Sequence, residues 1–255
     1  MRRQFTFLLA AIGVTLASPA GAEAYSADYS VTLYGLPVAK ARFDSSFGKN
    51  SFEIRGALSS AGLARVFDRT EATTTVRGSI GRNGPQPHSF VSNYTSGKKQ
   101  QKTTISFDRG GIREAVNVPR PKKRGKDWIH VTDAHLRAAL DPISSTLIRA
   151  NGPEEVCNRT IKAFDGEMRA DLKLTHQKTG PIRGFRGEAV TCSARFIPVA
   201  GYRKGRSQID FLQNRSRITI AFMRLGDTGF YTPVDASVGT QIGTLRITAS
   251  RIETR

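Results

Sequence analysis

The chain has 255 residues, and its 39 Lys and Arg against 21 Asp and Glu give a net charge of +18, an excess that favours anionic partners and non-specific adhesion. Its four histidines form neither HExxH nor another short paired spacing, and its two cysteines do not form Cys-x-x-Cys. The composition therefore argues against a metal site or a redox-active dithiol, and we predict no cofactor.

The first predicted element is an export signal. Arg2 and Arg3 precede an apolar run over residues 5–17, and small residues follow with possible cleavage sites at 20–22 and 22–24. The run of about 13 residues is shorter than the roughly 20 that a membrane anchor, the alternative interpretation, would need. We predict that residues 1–22 are a cleaved signal peptide and that the protein is periplasmic.

The mature chain keeps most of the positive charge and has no predicted membrane attachment. Removal of Arg2 and Arg3 with the leader leaves a net charge of +16. Neither cysteine lies near the cleavage site, so we predict no lipid anchor. Because no later segment is long and apolar enough to cross a bilayer, we also predict no transmembrane span in the mature chain.

Alternating strands follow the leader. In "YSADYSVTLYG" the apolar positions 25, 27, 29, 31 and 33 alternate with polar ones, which is typical of a strand with one buried face. Similar segments cover 51–58, 71–80, 102–111, 215–225 and 243–252, separated by Gly, Asn and Pro. With no linker or composition shift to divide it, the range 23–255 is predicted to form a single, mainly β domain with an antiparallel sheet.

Two segments between the predicted strands concentrate positive charge. The first contains Lys98, Lys99 and Lys102, and the second, "PRPKKRGK", contains Arg120, Lys122, Lys123, Arg124 and Lys126. The second is either a solvated loop held by its prolines or a contact for anionic envelope material, namely phospholipid head groups, lipopolysaccharide or peptidoglycan. We predict no nucleic-acid partner, because the leader points to export and Trp128 is the only nearby ring for base stacking.

One segment has helical instead of strand spacing. Thr132 and Asp141–Pro142 are typical of helix starts, and Asn151–Gly152 is typical of a stop. The apolar residues at helical spacing between them are Leu136, Leu140, Ile143 and Leu147. We predict one or two short helices near 132–150, packed into the concave side of a curved sheet that wraps around them.

The stretch "CNRTIKAFDGEMRADLKL", which begins at Cys157, contains a hairpin signal. Asp165–Gly166 favours a two-residue turn with positive φ, which would place Phe164 opposite Glu167. One face of this hairpin would then be apolar and the other a solvated face of charged residues that includes Arg169. The predicted apolar face consists of Ile161, Ala163, Met168, Ala170, Leu172 and Leu174.

Both cysteines fall on the apolar side under this pairing. Cys157 would lie opposite Leu174, and Cys192 would face the same way in a neighbouring strand. In an oxidising compartment this predicts a Cys157–Cys192 disulfide, worth roughly 4 kcal/mol in the chain-entropy model. The alternatives are two free thiols, or a metal pair that lacks its other ligands.

Catalytic patterns are weak. A G-x-S-x-G nucleophile elbow is absent from the sequence. Asp127 near His130, and Asp133 near His135, could orient an imidazole as a general base, although an acid at a helix start is ordinary capping chemistry. The carboxylates that could form a glycosidase-type pair are Asp44, Glu53, Asp68 and Glu71.

The segments "CNRTIKAFDGEMRADLKL", "CSARFIPVAGYR" and "LDPISSTL", with the early "YSADYSVTLYGLPVAKARF", resemble the exported bacterial proteins of the domain of unknown function 3108 family. The resemblance covers nearly the whole mature chain. It implies a periplasmic, β-rich, partly open barrel-like domain and carries over no catalytic residues. We expect a non-catalytic envelope protein that binds an anionic or amphipathic envelope ligand or a partner protein; the alternative is an envelope hydrolase acting on cell-wall or lipid substrates.

Overall fold

The structure, a computed structural model, describes residues 22–62, 64–67 and 69–255, without the side chains of residues 66 and 67. The predicted leader, apart from Ala22, and the candidate carboxylate Asp68 therefore lie outside the described residues. Strands dominate the described part of the chain, in agreement with the alternation of the sequence.

Seven long strands form the first half of the chain. They are β1 (Glu23–Leu33), β2 (Leu36–Phe47), β3 (Ser51–Ser60), β4 (Thr70–Gly81), β5 (Gly84–Ser96), β6 (Lys99–Asp108) and β7 (Gly111–Val118). The short helix α1 (Ala64–Phe67) lies between β3 and β4. Each strand is joined to the next by a short connection, which is the local connectivity of an antiparallel meander.

The second half is less regular. Its strands are β8 (Trp128–Ile129), β9 (Ile148–Arg149), β10 (Thr160–Phe164), β11 (Arg169–Pro181), β12 (Glu188–Ala200), β13 (Tyr202–Arg203), β14 (Ile218–Arg224), β15 (Phe230–Thr240) and β16 (Gly243–Thr254). Its helices are α2 (Asp133–Leu136) and α3 (Ser207–Asn214), with 3₁₀ turns at Ser144–Thr146 and Pro153–Glu155.

One antiparallel sheet of 14 strands curves into a partly open barrel. Thirteen of these strands follow the order β10-β11-β12-β14-β15-β16-β1-β2-β3-β4-β5-β6-β7, so the first and last strands of the chain pair at its middle. The fourteenth, β9, lies off this path and pairs with β15. The edge strand β7 contacts the β10–β11 turn at the other edge: Nδ2 of Asn117 donates to the carbonyl of Gly166 over 2.8 Å. The predicted curved, partly open barrel-like meander is confirmed.

The segment that carries α2 and the first 3₁₀ turn fills the gap beside β10. Leu140 pairs with this strand, because its N–H donates to Lys162 over 2.9 Å and its carbonyl accepts from Phe164 over 2.8 Å. Leu136, Ile143 and Leu147 join the main hydrophobic core, as their helical spacing predicts. The sheet therefore wraps around short helices, and each helix is only one turn long.

The predicted register of the β10–β11 hairpin is wrong by two residues. Phe164 pairs with Arg169, not with Glu167. The turn is longer because a carboxylate oxygen of Asp165 accepts hydrogen bonds from the backbone N–H groups of Glu167 and Met168, at 2.8 and 2.7 Å. This side-chain cap stabilises a four-residue connection in place of a two-residue turn.

The prediction that the charged face of this hairpin is solvated is also wrong next to the turn. Arg169 is only 4 % exposed, and its guanidinium donates to the carbonyl of His135 over 3.0 Å and contacts Asp171. Phe164, on the same face, is buried in the main core. The α2 segment packs over these residues, which strand alternation alone does not reveal.

Cys157 and Cys192 form a disulfide with 5.8 Å between their Cα atoms. Cys192 lies on β12, whereas Cys157 precedes β10 and is not part of a strand. Both are buried in a second hydrophobic cluster that includes Val156, Ile161 and Leu174. The bridge therefore fixes the loop in front of the edge strand to the interior of the sheet.

Candidate functional site

The strand registers bring the two basic segments of the sequence to one end of the barrel. Lys102 of β6 lies opposite Val118 of β7, so the loop after β7 begins beside the β5–β6 turn that carries Lys98 and Lys99. Alternate turns of an antiparallel meander share one end. The connections at residues 34–35, 97–98, 165–168 and 241–242 accordingly lie at this end, which we call the basic end.

A third basic segment joins them. Arg203 of β13 pairs with Trp128 of β8, and the N–H of Lys204 donates to the carbonyl of Asp127 over 2.9 Å. We call the resulting set the basic rim, which consists of Lys98, Lys99, Lys102, Arg120, Lys122, Lys123, Lys126, Arg203, Lys204 and Arg206. All ten residues are exposed. The sequence "RKGR" at 203–206 is the signal that could have revealed this part of the rim, but a single short cluster of cations does not show which surface it joins.

Arg124 differs from its predicted companions. Its guanidinium lies over the ring of Trp128, 4.2 Å from the centre, and is paired with the carboxylate of Glu167. Arg124 is half-buried, whereas Arg120, Lys122, Lys123 and Lys126 are exposed. Of the five predicted anion-binding residues, four have side chains at the surface and Arg124 instead ties the loop to the β10–β11 turn.

A groove of about 480 Å³ opens inside this rim. Its aromatic rings come from three places in the chain: Tyr94 of β5, Trp128 of β8 and Tyr202 of β13. Arg206 and Ile209, at the start of α3, line its far wall. Rings with a few polar groups between them are the usual lining of small-molecule sites.

The inner face of β3–β7 is built in layers. The registers align an apolar row deep inside, made of Ile54, Val76, Phe90, Ile105 and Ala115. The next row toward the basic end has small or polar side chains: Gly56, Thr74, Ser92, Thr103 and Asn117. Since a sheet row of small side chains leaves space that larger ones would fill, a cavity remains there.

This cavity has a volume of about 260 Å³ and is mainly apolar, with Phe43, Leu58 and Ile143 in its wall. It shares Ser92, Thr103 and Asp165 with the groove, so the two spaces adjoin. The hydroxyl of Thr74 lines the cavity, is buried, and has no hydrogen-bond partner among the described residues. A ligand with a polar atom at that depth would give this hydroxyl a partner.

Acidic groups near the groove already have partners. The Asp165 carboxylate accepts from two backbone N–H groups of its own turn, and Glu167 is paired with Arg124. Thr103 donates to the Asn117 side chain over 2.6 Å. The rim cations therefore dominate the electrostatics at the mouth of the groove.

Two of the carboxylates considered for catalysis, Asp44 and Glu53, lie elsewhere and are paired with arginines. Asp44 lies 3.0 Å from Arg255, and Glu53 lies 3.0 Å from Arg77. The hydrogen bond from Arg77 holds the pKa of Glu53 below its usual range, which is the opposite of what a general acid needs. Glu71, on β4, is exposed.

The histidines are spread over separate elements. His135 accepts from the backbone N–H of Thr132 over 3.2 Å at the start of α2, which is the contact that the fourth residue of a capping box makes. His88 lies on β5 and contacts Ser79, and His176 lies on β11 and contacts Thr179. Within 22–62, 64–67 and 69–255, His, Cys, Asp and Glu form no group of three or more that could hold a metal ion.

None of the helices in the described part of the chain has the length and apolar character needed to cross a bilayer. The longest, α3, has eight residues.

Comparisons with known proteins identify a family and, separately, a solved structure of similar fold. The family model "Protein of unknown function (DUF3108)" matches residues 28–250. A solved structure, titled as a beta-barrel-like protein of domain of unknown function DUF1849 from Brucella abortus, aligns with a TM-score of 0.52 at 10 % identity, covering 91 % of this chain and 98 % of that one. Among curated protein sequences, none matches this chain.

Proposed function

We propose a function from the geometry of this chain, which belongs to the DUF3108 family: an exported, non-catalytic envelope protein that binds an anionic amphipathic molecule at its basic end. The head group of the ligand contacts the basic rim, and its apolar part enters the groove and the adjoining cavity. The observation that carries the proposal is that three basic segments, distant in sequence, lie at the end of the barrel where an aromatic groove adjoins an apolar cavity.

The two parts of the site suit the two parts of such a ligand. Each rim cation that approaches an anionic head group contributes about 1 kcal/mol at modest ionic strength. Each ligand methylene that leaves water for the cavity contributes about 0.8 kcal/mol. A purely polar anion would use only the first of these contributions, so the cavity favours an amphipathic ligand.

The predicted leader and the net charge of the mature chain support the location and the ligand class. A net charge of +16 after cleavage favours adhesion to anionic material, and the envelope of a bacterium supplies phospholipids and lipopolysaccharide. The arginine partners of Asp44 and Glu53 support a non-catalytic role.

The test uses monomeric lipids, so that no bilayer is present. The mature protein is titrated calorimetrically with lysophosphatidylglycerol below its micelle concentration, and with lysophosphatidylcholine of the same chain length. We expect saturable binding of the anionic lipid, weakened by salt, and much weaker binding of the zwitterionic one. Equal affinity for both would refute the anionic rim, and binding of neither would refute the site.

Native mass spectrometry of protein purified from its own envelope identifies the ligand. A retained lipid or lipopolysaccharide fragment is the expected outcome. Retention of a protein partner, with no lipid, would replace this proposal with the partner-protein interpretation of the sequence.

A further inference from the structure

Three large apolar side chains stand exposed on two neighbouring turns at the basic end. Tyr34 is 75 % exposed and Leu36 58 % at the β1–β2 turn, and Ile242 is 67 % exposed at the β15–β16 turn. The two turns are adjacent, because Leu33 pairs with both Leu36 and Leu245. We call these three residues the apolar tip. Exposed apolar side chains that cluster in this way mark interaction sites more often than isolated ones do.

Tyr34 also has an unfavourable backbone conformation. Its φ is 52° and that of Gly35 is 78°, the combination of a type I′ turn, where the first central residue is normally Asn, Asp or Gly. Its ring packs on the backbone of Gly243, where a Cβ would come within 2.5 Å of the ring. This contact fixes the direction of the ring yet leaves most of it in water, so the position is costly to occupy with an aromatic residue.

Cations lie near the tip on two sides. The N–H of Gly239, near the end of β15, donates to the carbonyl of Arg217 over 3.0 Å, which places the exposed Arg215 and Arg217 beside the β15–β16 turn. On the other side, Lys40 of β2 is exposed. Arginine and lysine next to Tyr, Leu and Ile are typical of segments that sit at a bilayer interface, with rings among the head groups and cations on lipid phosphates.

We propose that the apolar tip inserts into the interfacial layer of an anionic bilayer, with Arg215, Arg217 and Lys40 on the head groups. This goes beyond the lipid-binding function proposed above, which needs only monomeric ligand. The flanking cations argue for a bilayer and against a second copy of the chain, since two tips that met would bring like charges together. The groove opens at the same end, so insertion turns its mouth toward the bilayer.

The first test places a reporter beside the tip. The only two cysteines of the sequence are bridged, so Gln241→Cys gives a single labelling site for an environment-sensitive fluorophore without altering the tip. Asn83→Cys, on the β4–β5 turn at the opposite end, is the matched control. With vesicles of phosphatidylglycerol and phosphatidylethanolamine we expect a blue shift at position 241 and none at 83. No shift at 241, or equal shifts with phosphatidylcholine vesicles, would overturn the proposal.

Tip variants distinguish insertion from a structural role. The double variant Leu36→Ser with Ile242→Ser is expected to bind anionic vesicles about tenfold less tightly or worse, with unchanged Tm and unchanged affinity for monomeric lysophosphatidylglycerol. Tyr34→Asn is expected to weaken vesicle binding while Tm stays constant or rises, because Asn suits the turn. A lower Tm with intact vesicle binding would show that Tyr34 serves the fold alone.

The experiments distinguish a wrong proposal about the apolar tip from a wrong proposal about lipid binding in the groove. If monomeric lipid binds but the double variant binds vesicles as the parent does, the tip proposal fails and the proposed function stands. Analytical sedimentation tests the alternative that a second copy of the chain binds the tip. If the parent forms a dimer and the double variant does not, the tip serves self-association and the proposal of bilayer insertion is wrong.

Discussion

Arg124 and Trp128 form a stacked pair, with the guanidinium carbon 4.2 Å from the centre of the indole ring. The same guanidinium is paired with Glu167 of the β10–β11 turn. One arginine of the basic loop therefore holds the loop against this turn. Its neighbours Lys122, Lys123 and Lys126 remain exposed. The loop thus separates into a cation that holds it in place and cations that are available to a ligand.

The triple variant Lys122→Gln, Lys123→Gln and Lys126→Gln is expected to weaken lysophosphatidylglycerol binding severalfold or more. Each cation near an anionic head group contributes about 1 kcal/mol, screened within roughly 8–10 Å. The salt dependence of the affinity should flatten in the same variant, while the urea midpoint stays nearly constant. Calorimetry at low and physiological salt measures both effects, and unchanged affinity at both would show that the loop is merely solvated.

The matched control is Arg124→Gln, which also removes one charge from the loop. It is expected to lower the free energy of unfolding by about 0.5–2 kcal/mol, because a cation–π contact and a partly screened ion pair are lost together. A stability loss from the triple variant, or none from Arg124→Gln, would contradict the division of roles drawn from the structure.

Ser92→Leu is expected to block ligand entry. Ser92 lies in the row of small side chains and lines both the groove and the cavity, so a larger side chain there fills space that the ligand would use. We expect lysophosphatidylglycerol affinity to fall by about four- to fifteenfold if one or two methylenes of the ligand are displaced, with little change in stability. Thr104→Leu, on the outer face of β6, is the size-matched control and should leave affinity as in the parent. Full affinity in Ser92→Leu would place the ligand elsewhere.

Strand alternation predicts the sheet well because it is local: each strand reports its own buried face. The turn at Asp165 differs from its prediction by two residues because a side-chain oxygen caps the backbone there. The helix α3 is not apparent from the sequence. The segment "SQIDFLQN" has only Ile209, Phe211 and Leu212 as apolar residues, and the N-cap residue makes no side-chain hydrogen bond that would cap the helix. It lies against β12 and β15, so tertiary packing stabilises it.

The sequence predicts the basic clusters of the candidate site but not its groove. Clusters such as "PRPKKRGK" are visible in any sequence, but the groove depends on Tyr94, Trp128 and Tyr202 coming together from three segments. Their meeting depends on strand register, which periodicity does not fix. The burial of Arg169 escapes prediction for another reason, because the covering α2 segment comes from a different part of the chain.

Cys192→Ser is expected to lower the free energy of unfolding by about 2–5 kcal/mol, because the bridge closes a long loop and both cysteines are buried. Urea unfolding of the variant and of the reduced parent should agree. Mass spectrometry of the unreduced native protein after alkylation should find no reactive thiols; two alkylated cysteines in freshly isolated protein would contradict the disulfide.

Asp141→Asn is expected to change the pH dependence of stability. Asp141 is 0 % exposed, and its Oδ1 accepts from the N–H groups of Ile143 and Ser144 at 3.0 and 2.8 Å. Its Oδ2 has no partner among the described residues. Burial raises the pKa of this carboxyl, because the charged form loses its hydration.

The pKa of the Asp141 carboxyl is higher in the folded state than in the unfolded state. The carboxyl therefore stabilises the fold fully at pH values below its unfolded pKa of about 3.9, and this stabilisation is lost as the pH rises through its folded pKa. Asn keeps an oxygen for the two N–H groups and carries no charge. The stability of Asp141→Asn relative to the parent should therefore increase as the pH rises from about 4 through the folded-state pKa of Asp141, as measured by urea unfolding over a pH series.

Glu155→Gln is the control of opposite sign. Hydrogen bonds from Asn151, the backbone N–H first, hold the pKa of Glu155 below its usual range, so its contribution is present above the unfolded pKa and lost as the pH falls through the folded one. Relative to the parent, Glu155→Gln should therefore become less stable as the pH rises, while Asp141→Asn becomes more stable. Parallel pH profiles for the two variants would show that burial does not govern the titration of Asp141.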